Sequence, residues 1–175
     1  MLRDLRSAFE SAGVRWYLFG AQAAIAYGVA RFKDDIDVMV DPGSLPLSRI
    51  RAALEARGFV VMNAAANIFR VKHARRGVLV DVVVSRPSVD EVFYARLVRR
   101  KLGGVFVPVA APEDIIALKL LAARDKDTDD VKVMLQVNRS IRLSRTREVL
   151  GLLEESLAIS DLSSAFERIL KAARR

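Results

Sequence analysis

Residues 20–40 read GAQAAIAYGVARFKDDIDVMV. The first half is apolar and bounded by Gly20 and Gly28; the second sets Asp34, Asp35 and Asp37 beside branched aliphatics. Ile36, Val38 and Val40 recur with the period of a β-strand over 36–40, and Asp41-Pro42-Gly43 stops it. Residues two apart in a strand share a face, so Asp35 and Asp37 point one way and Ile36 and Val38 the other. Their Cα atoms then lie about 6.5–7 Å apart. Carboxylates at that spacing repel unless a cation sits between them, and a hard divalent ion such as Mg2+ prefers such oxygens. Two solvated acids at the entrance of a strand would leave the same pattern.

Upstream, apolar residues at Leu2, Leu5, Ala8, Phe9 and Ala12 have helical spacing, and VRWYLF then reads as a strand ending at Gly20. AQAAIAY, between the two glycines, is a helix-friendly segment. Downstream, the patterns predict a helix over 48–57, strands at FVVM, NIFRVKHA and GVLVDVVVS, a helix over 89–99 and a strand at GGVFVPVA. From Pro112 onward everything reads as helix: 113–123, 128–137, 145–156 and 162–173. Mixed α and β followed by helices alone gives an α+β fold: a mixed β-sheet flanked by helices, then a C-terminal helical bundle packed on it. The expected division is a core over 1–110 and a helical region over 111–175, in one compact unit.

The chain has 175 residues, 52% of them hydrophobic and 29% charged, a composition that excludes disorder and suits a packed core. It has no cysteine, which excludes disulfides and thiolate metal sites and fits a cytoplasmic location. The N-terminus MLRDLRSAFESAG lacks the apolar run of a signal peptide, and residues 16–30 are too short and interrupted to span a bilayer, so no membrane association is expected. The formal net charge of +8 favours polyanions such as RNA, DNA or a nucleoside triphosphate, although plain solubility would also account for it.

Asp81 stands in VLVDVVVS with branched aliphatics on both sides, the pattern of a central strand. A carboxylate there must be paired with an arginine, protonated or bound to a metal. If this strand neighbours 36–40, three carboxylates converge into a ligand set for one or two metal ions.

Gly20-Ala21 after a strand, a short helix, Arg31 with Asp35 and Asp37, and Asp81 in a later apolar strand together resemble the nucleotidyltransferase superfamily. The closest resemblance is to the AbiEii/AbiGii toxin-type nucleotidyltransferases and their small bacterial relatives, which read GAQA…YG…R…DIDV. The resemblance implies a transferase that moves a nucleoside monophosphate from a nucleoside triphosphate to an acceptor hydroxyl and releases pyrophosphate. It implies that Asp35, Asp37 and Asp81 hold Mg2+ or Mn2+, and that Gly20, Ala21 and Arg31 meet the nucleotide. Gln22 would substitute for the second Gly or Ser usual at position 21, or cap a helix. Lys33 stands where relatives have Thr or Ser.

PEDIIALKLLAARDKDTDDV resembles the downstream family pattern P-E-x-hydrophobic-hydrophobic…K-x-x-A…D-x-x-D. Lys119 shares the apolar face of its helix with Ile115 and Ala122, as a snorkelling side chain would, or as a cation reaching the phosphates. Asp127 and Asp130 either favour a helix N-terminus or orient Lys119 or Arg31 at the nucleotide. His73 reads as a surface residue, and Trp16 and Tyr17 as core. Arg70, Lys72, Arg75 and Arg76 form a basic hairpin, solvated or facing RNA, which Arg142, Arg145, Arg147, Lys171, Arg174 and Arg175 would extend. The expected function is nucleotidyl transfer to RNA, tRNA in particular, in a toxin–antitoxin setting with a cognate antitoxin protein. The alternatives are transfer to an antibiotic or other small molecule, and a non-catalytic nucleic-acid or partner-binding module.

Overall fold

The structure is a computed structural model and describes residues 1–30, 35–65, 67–85 and 89–174. Arg31 and Lys33 lie outside the described residues, as does Arg175.

Seven strands form one sheet: β1 (Arg15–Phe19), β2 (Ile36–Asp41), β3 (Phe59–Ala64), β4 (Ile68–His73), β5 (Leu79–Val84), β6 (Val98–Leu102) and β7 (Val105–Val109). Their order is β3-β4-β5-β2-β1-β7-β6. β2 runs parallel to β5 and β1 to β7; the other pairs are antiparallel, so the sheet is mixed as expected. Eight helices complete the described chain: α1 (Leu2–Ala12), α2 (Gly20–Ile25), α3 (Leu47–Glu55), α4 (Val89–Tyr94), α5 (Pro112–Ala122), α6 (Asp125–Val137), α7 (Leu143–Leu157) and α8 (Leu162–Ala173). None of them is long and apolar enough to cross a membrane.

The two sheet faces differ. Trp16, Leu18, Ile36, Val38, Val40, Val80 and Val82 are buried on the first, with Phe69 and Val71. α1 and α3 cover it: Phe9 meets Trp16 at 5.0 Å between ring centroids, and Arg51 lies over Phe69. On the second face Tyr17 meets Tyr94 of α4, again at 5.0 Å. Towards β3 and β4 this second face opens, and Lys72 and Ile68 are exposed there. The acids at 37 and 81 sit on this face because strand parity puts them opposite the core residues.

Two expectations fail. The helix predicted over 89–99 ends at Tyr94, and 98–102 is an edge strand. Arg99, Arg100 and Lys101 hide its alternation, and charge is what protects an unpaired sheet edge. The β6–β7 hairpin turns on Gly103 and Gly104, both at positive φ, 53° and 78°, as a two-residue turn of the twist-matched kind requires. His73, expected at the surface, is only 4% exposed. It follows Phe69 and Val71 on the buried face, stacks edge-on against Phe59, and its Nε2 lies 3.3 Å from Asp4 Oδ2.

The C-terminal region is helical throughout, as expected. α5 is buried almost all round, so each of its charges needs a partner. Arg96 bonds Asp114, Glu113 accepts the Arg142 backbone N–H at 2.9 Å, and Lys119 meets two aspartates of α6. Arg145 pairs with Glu148 within α7, and Arg147 with Glu167 of α8.

Candidate active site

Backbone register lines up one row of residues across five strands. Phe19 pairs with Asp37, Asp37 with Asp81, Asp81 with Arg70, and Arg70 with Asn63. Paired residues on adjacent strands project to the same side, and adjacent strands are about 4.8 Å apart. Asp37 and Asp81 therefore stand side by side, both partly buried, on the face away from α1 and α3. Asp35 precedes β2 and is also partly buried.

Gly20 fits against Asp37. A Cβ built at position 20 would lie 2.2 Å from Asp37 Oδ2, and the residue has a φ of 67°. Only glycine meets both demands without strain. Gly20 begins α2, Ala21 is buried behind it, and Gln22 is half-buried.

Asp81 is paired. Arg70 Nε and Nη2 donate to its two oxygens at 2.6 and 2.7 Å, a bidentate fork. That bond, together with the charges of Asp81, Asp35 and Asp37, holds the guanidinium more firmly protonated than an ordinary arginine. A cavity of about 400 Å3 adjoins the pair, lined by Asn63, Ala64, Ala65, Ile68, Arg70 and Asp81. Arg70 thus leaves the basic hairpin for the acidic row, while Lys72, Arg75 and Arg76 stay exposed. Arg75 and Arg76 line a second cavity, of about 470 Å3, with Arg57, His73 and Asp4.

Lys119 lies in a separate cluster. Its Nζ donates to Asp127 Oδ1 at 3.0 Å and to Asp130 Oδ2 at 2.6 Å, and the side chain is 5% exposed. Asp127 and Asp130 are thus the partners of Lys119; Arg31, the other residue they were expected to orient, lies outside the described residues. Arg124, which sequence reasoning passed over, donates to Asp127 at 2.5 and 3.2 Å while its own side chain is 59% exposed. The bond to Asp127 holds its guanidinium more firmly protonated than an ordinary arginine, with the charges of Asp127, Asp37 and Asp130 adding to it. Its signal in the sequence was the i, i+3 pair Arg124–Asp127 at the start of a helix.

Among the described residues no three carboxylate or histidine groups are gathered tightly enough to hold a metal ion. The donor chemistry nonetheless fits one: Asp35, Asp37 and Asp81 are hard oxygen ligands, two of them in register, with Gly20 leaving space for Asp37. Both oxygens of the third, Asp81, accept from Arg70. The sequence offered an arginine pair or a metal for Asp81; the arginine pair is the arrangement observed.

Solved structures share this architecture. The antibiotic-resistance factor ANT(2'')-Ia is 15% identical, with a TM-score of 0.64 over 90% of this chain and 91% of that one. The lincosamide antibiotic adenylyltransferase LnuA is 16% identical, with a TM-score of 0.55 over 78% of this chain and 96% of that one. An antigenic nucleotidyltransferase-like protein from Paracoccidioides brasiliensis is 19% identical, with a TM-score of 0.53 over 94% and 91%. At these identities the likeness is one of fold. No curated protein matches the chain in sequence. A family model does, over residues 10–174, and the chain belongs to that family, described as nucleotidyltransferase of unknown function (DUF6036).

Proposed function

We propose that the protein is a metal-dependent nucleotidyltransferase that moves a nucleoside monophosphate from a nucleoside triphosphate to an RNA hydroxyl, with tRNA the foremost candidate. One observation carries the reading: Asp37 and Asp81 in register on adjacent parallel strands, with Gly20 fitted against Asp37. The GAQA…YG…DIDV pattern further suggests kinship with AbiEii-type toxins, and with it a cognate antitoxin as partner.

Asp35, Asp37 and Asp81 would hold Mg2+ or Mn2+, which when bound neutralises triphosphate charge and lowers the pKa of the acceptor hydroxyl. The backbone at Gly20 and Ala21 allows close approach of the phosphates, since neither residue carries more than a methyl group. Arg124, standing outward on Asp127, meets the leaving pyrophosphate. Lys119 acts from behind, fixing Asp127 and Asp130. The acceptor oxygen attacks the α-phosphorus in line as the bond to the bridging oxygen breaks. Asp81 borders the cavity in which the acceptor would lie, within reach of the hydroxyl proton.

RNA is favoured as acceptor by the charge of +8 and by exposed Arg57, Arg75 and Arg76 around one cavity. Two of the proteins that share the fold are named for antibiotic resistance or modification, which makes a small hydroxylated drug the second reading. Arg70 in the cavity beside Asp81 disfavours a cationic drug there. The test is incubation with each labelled nucleoside triphosphate, Mg2+ and either total RNA or a panel of aminoglycosides and lincosamides. Label should enter RNA, and Asp37→Asn should abolish the transfer. Label on a drug alone would establish the second reading. RNA binding without transfer would make the protein a binding module. Replacing Arg57, Arg75 and Arg76 should weaken RNA binding and lower the salt slope by about 0.7–0.9 for each phosphate left without its cation.

A further inference from the structure

We infer that Arg70 is a positioning residue that stands in for a metal cation at Asp81, holding the third carboxylate beside Asp37 and yielding it when a divalent ion enters. The inference rests on the reading of Asp37 and Asp81 as metal ligands.

The register sets Arg70, Asp81 and Asp37 in one row on three adjacent strands. Asp37 and Asp81 bring like charge to one sheet face in register. The guanidinium supplies one positive charge at that spot. Its fork takes both oxygens of Asp81, at 2.6 and 2.7 Å. A metal can therefore take the lone pairs that the fork occupies only by displacing the arginine.

The two partners differ in freedom. Asp81 lies on a central strand and its side chain is 16% exposed, whereas the Arg70 side chain is 43% exposed on a long, flexible stem. Exchange therefore proceeds by movement of the arginine, with the carboxylate left in place. A half-exposed ion pair is weak enough to be exchanged, because water screens it. Once displaced, the guanidinium still lies at the cavity it shares with Asn63 and Ile68. A lysine could balance the charge there but could not occupy both oxygens with a planar fork.

The experiment titrates Mn2+ into wild type, Arg70→Gln, Arg70→Lys and Asp37→Asn without nucleotide, following free Mn2+ by electron paramagnetic resonance. Circular dichroism checks the fold of each variant. Arg70→Gln should bind Mn2+ about tenfold more tightly than wild type, the weight of one charge-assisted pair removed from competition. Arg70→Lys should fall between them. A residue serving only the fold would not tighten metal binding when removed. Folded Arg70→Gln with wild-type or weaker Mn2+ affinity overturns the role of Arg70. If Arg70→Gln does not fold, Arg70→Lys decides alone: affinity no higher than wild type overturns the inference. Asp37→Asn separates the two readings. Mn2+ binding abolished there, with wild-type affinity in the Arg70 variants, defeats only the Arg70 inference. Unchanged binding in Asp37→Asn defeats the metal site itself.

Discussion

Two clusters of paired acids and bases, Lys119 with Asp127 and Asp130 and Arg70 with Asp81, are built differently. In one, Lys119 is sealed between Asp127 and Asp130, and all three side chains are less than a tenth exposed. In the other, Arg70 reaches from a half-open strand to Asp81, with Asp37 alongside. The sealed cluster has its charges met by partners on α5 and α6, and exchange with water or a ligand would first require those helices to part. In the open pair the cation is the more exposed partner, with the Arg70 side chain 43% exposed against 16% for Asp81. A sealed cluster fixes geometry; an open one can trade its cation for another. On the proposed function, that contrast makes Lys119 a supporting residue and the carboxylate row the place of chemistry.

The largest effect should come from breaking the sealed cluster. Lys119→Met leaves two buried aspartates without their shared cation and should cost roughly 3–5 kcal/mol of folding stability, read by urea denaturation. A cost under about 1 kcal/mol would show that water reaches these acids and that the contrast is false. The pH dependence sharpens the point. Burial raises the Asp127 carboxyl, but the bonds from Arg124 and Lys119 outweigh it, and the folded pKa lies below the ordinary 3.8. The stability it contributes is present above 3.8 and is lost as pH falls through the lower folded value. Lys119→Met should shrink that acid-side loss.

An intermediate effect is expected at Gly20, where the open cluster meets the backbone. Gly20→Ala places a methyl group within 2.2 Å of Asp37 Oδ2 at a φ of 67°. The left-handed backbone and the crowding should cost roughly 1–3 kcal/mol. The carboxylate of Asp37 can swing aside, and if it does it leaves its place beside Asp81. Nucleotide transfer should then fall far more than stability does. A variant with wild-type transfer would remove Gly20 from the site.

How much of this the sequence disclosed follows from the range of each interaction. The turn at Gly20, the shared face of Asp35 and Asp37, and the oddity of Asp81 in an apolar run are local patterns, and the structure places Asp37 and Asp81 side by side. The Arg70–Asp81 pair was hidden because it depends on which strands pair and in what register. Arg70 looked like one more base in a hairpin with Lys72, Arg75 and Arg76. His73 was misread for a different reason. Its charged neighbours outweighed the alternation of Phe69, Val71 and His73, although that alternation was the correct guide. β6 was lost to three consecutive basic residues, which suit an exposed edge and conceal the period of a strand.

The smallest effect on stability, and the most telling, should come from Asp37→Asn. The substitution keeps the shape of the side chain, so packing against Gly20 is preserved. If the row is a ligand set, removing one of its negative charges relieves repulsion in metal-free buffer, and the melting temperature should stay level or rise slightly. A carboxylate serving as a structural ion-pair partner behaves oppositely, because its loss strands a buried cation. The separation grows when Mg2+ is added. A ligand stabilises only the state that binds it, by RT ln(1 + [L]/Kd), so wild type should gain and Asp37→Asn should gain less or nothing. Lys119→Met, once allowance is made for its lower starting stability, should keep its Mg2+ response, since it leaves the carboxylate row intact. Thermal melts of the three proteins with and without Mg2+ therefore test the contrast directly. A Mg2+ response lost in Lys119→Met and kept in Asp37→Asn would exchange the roles assigned to the two clusters.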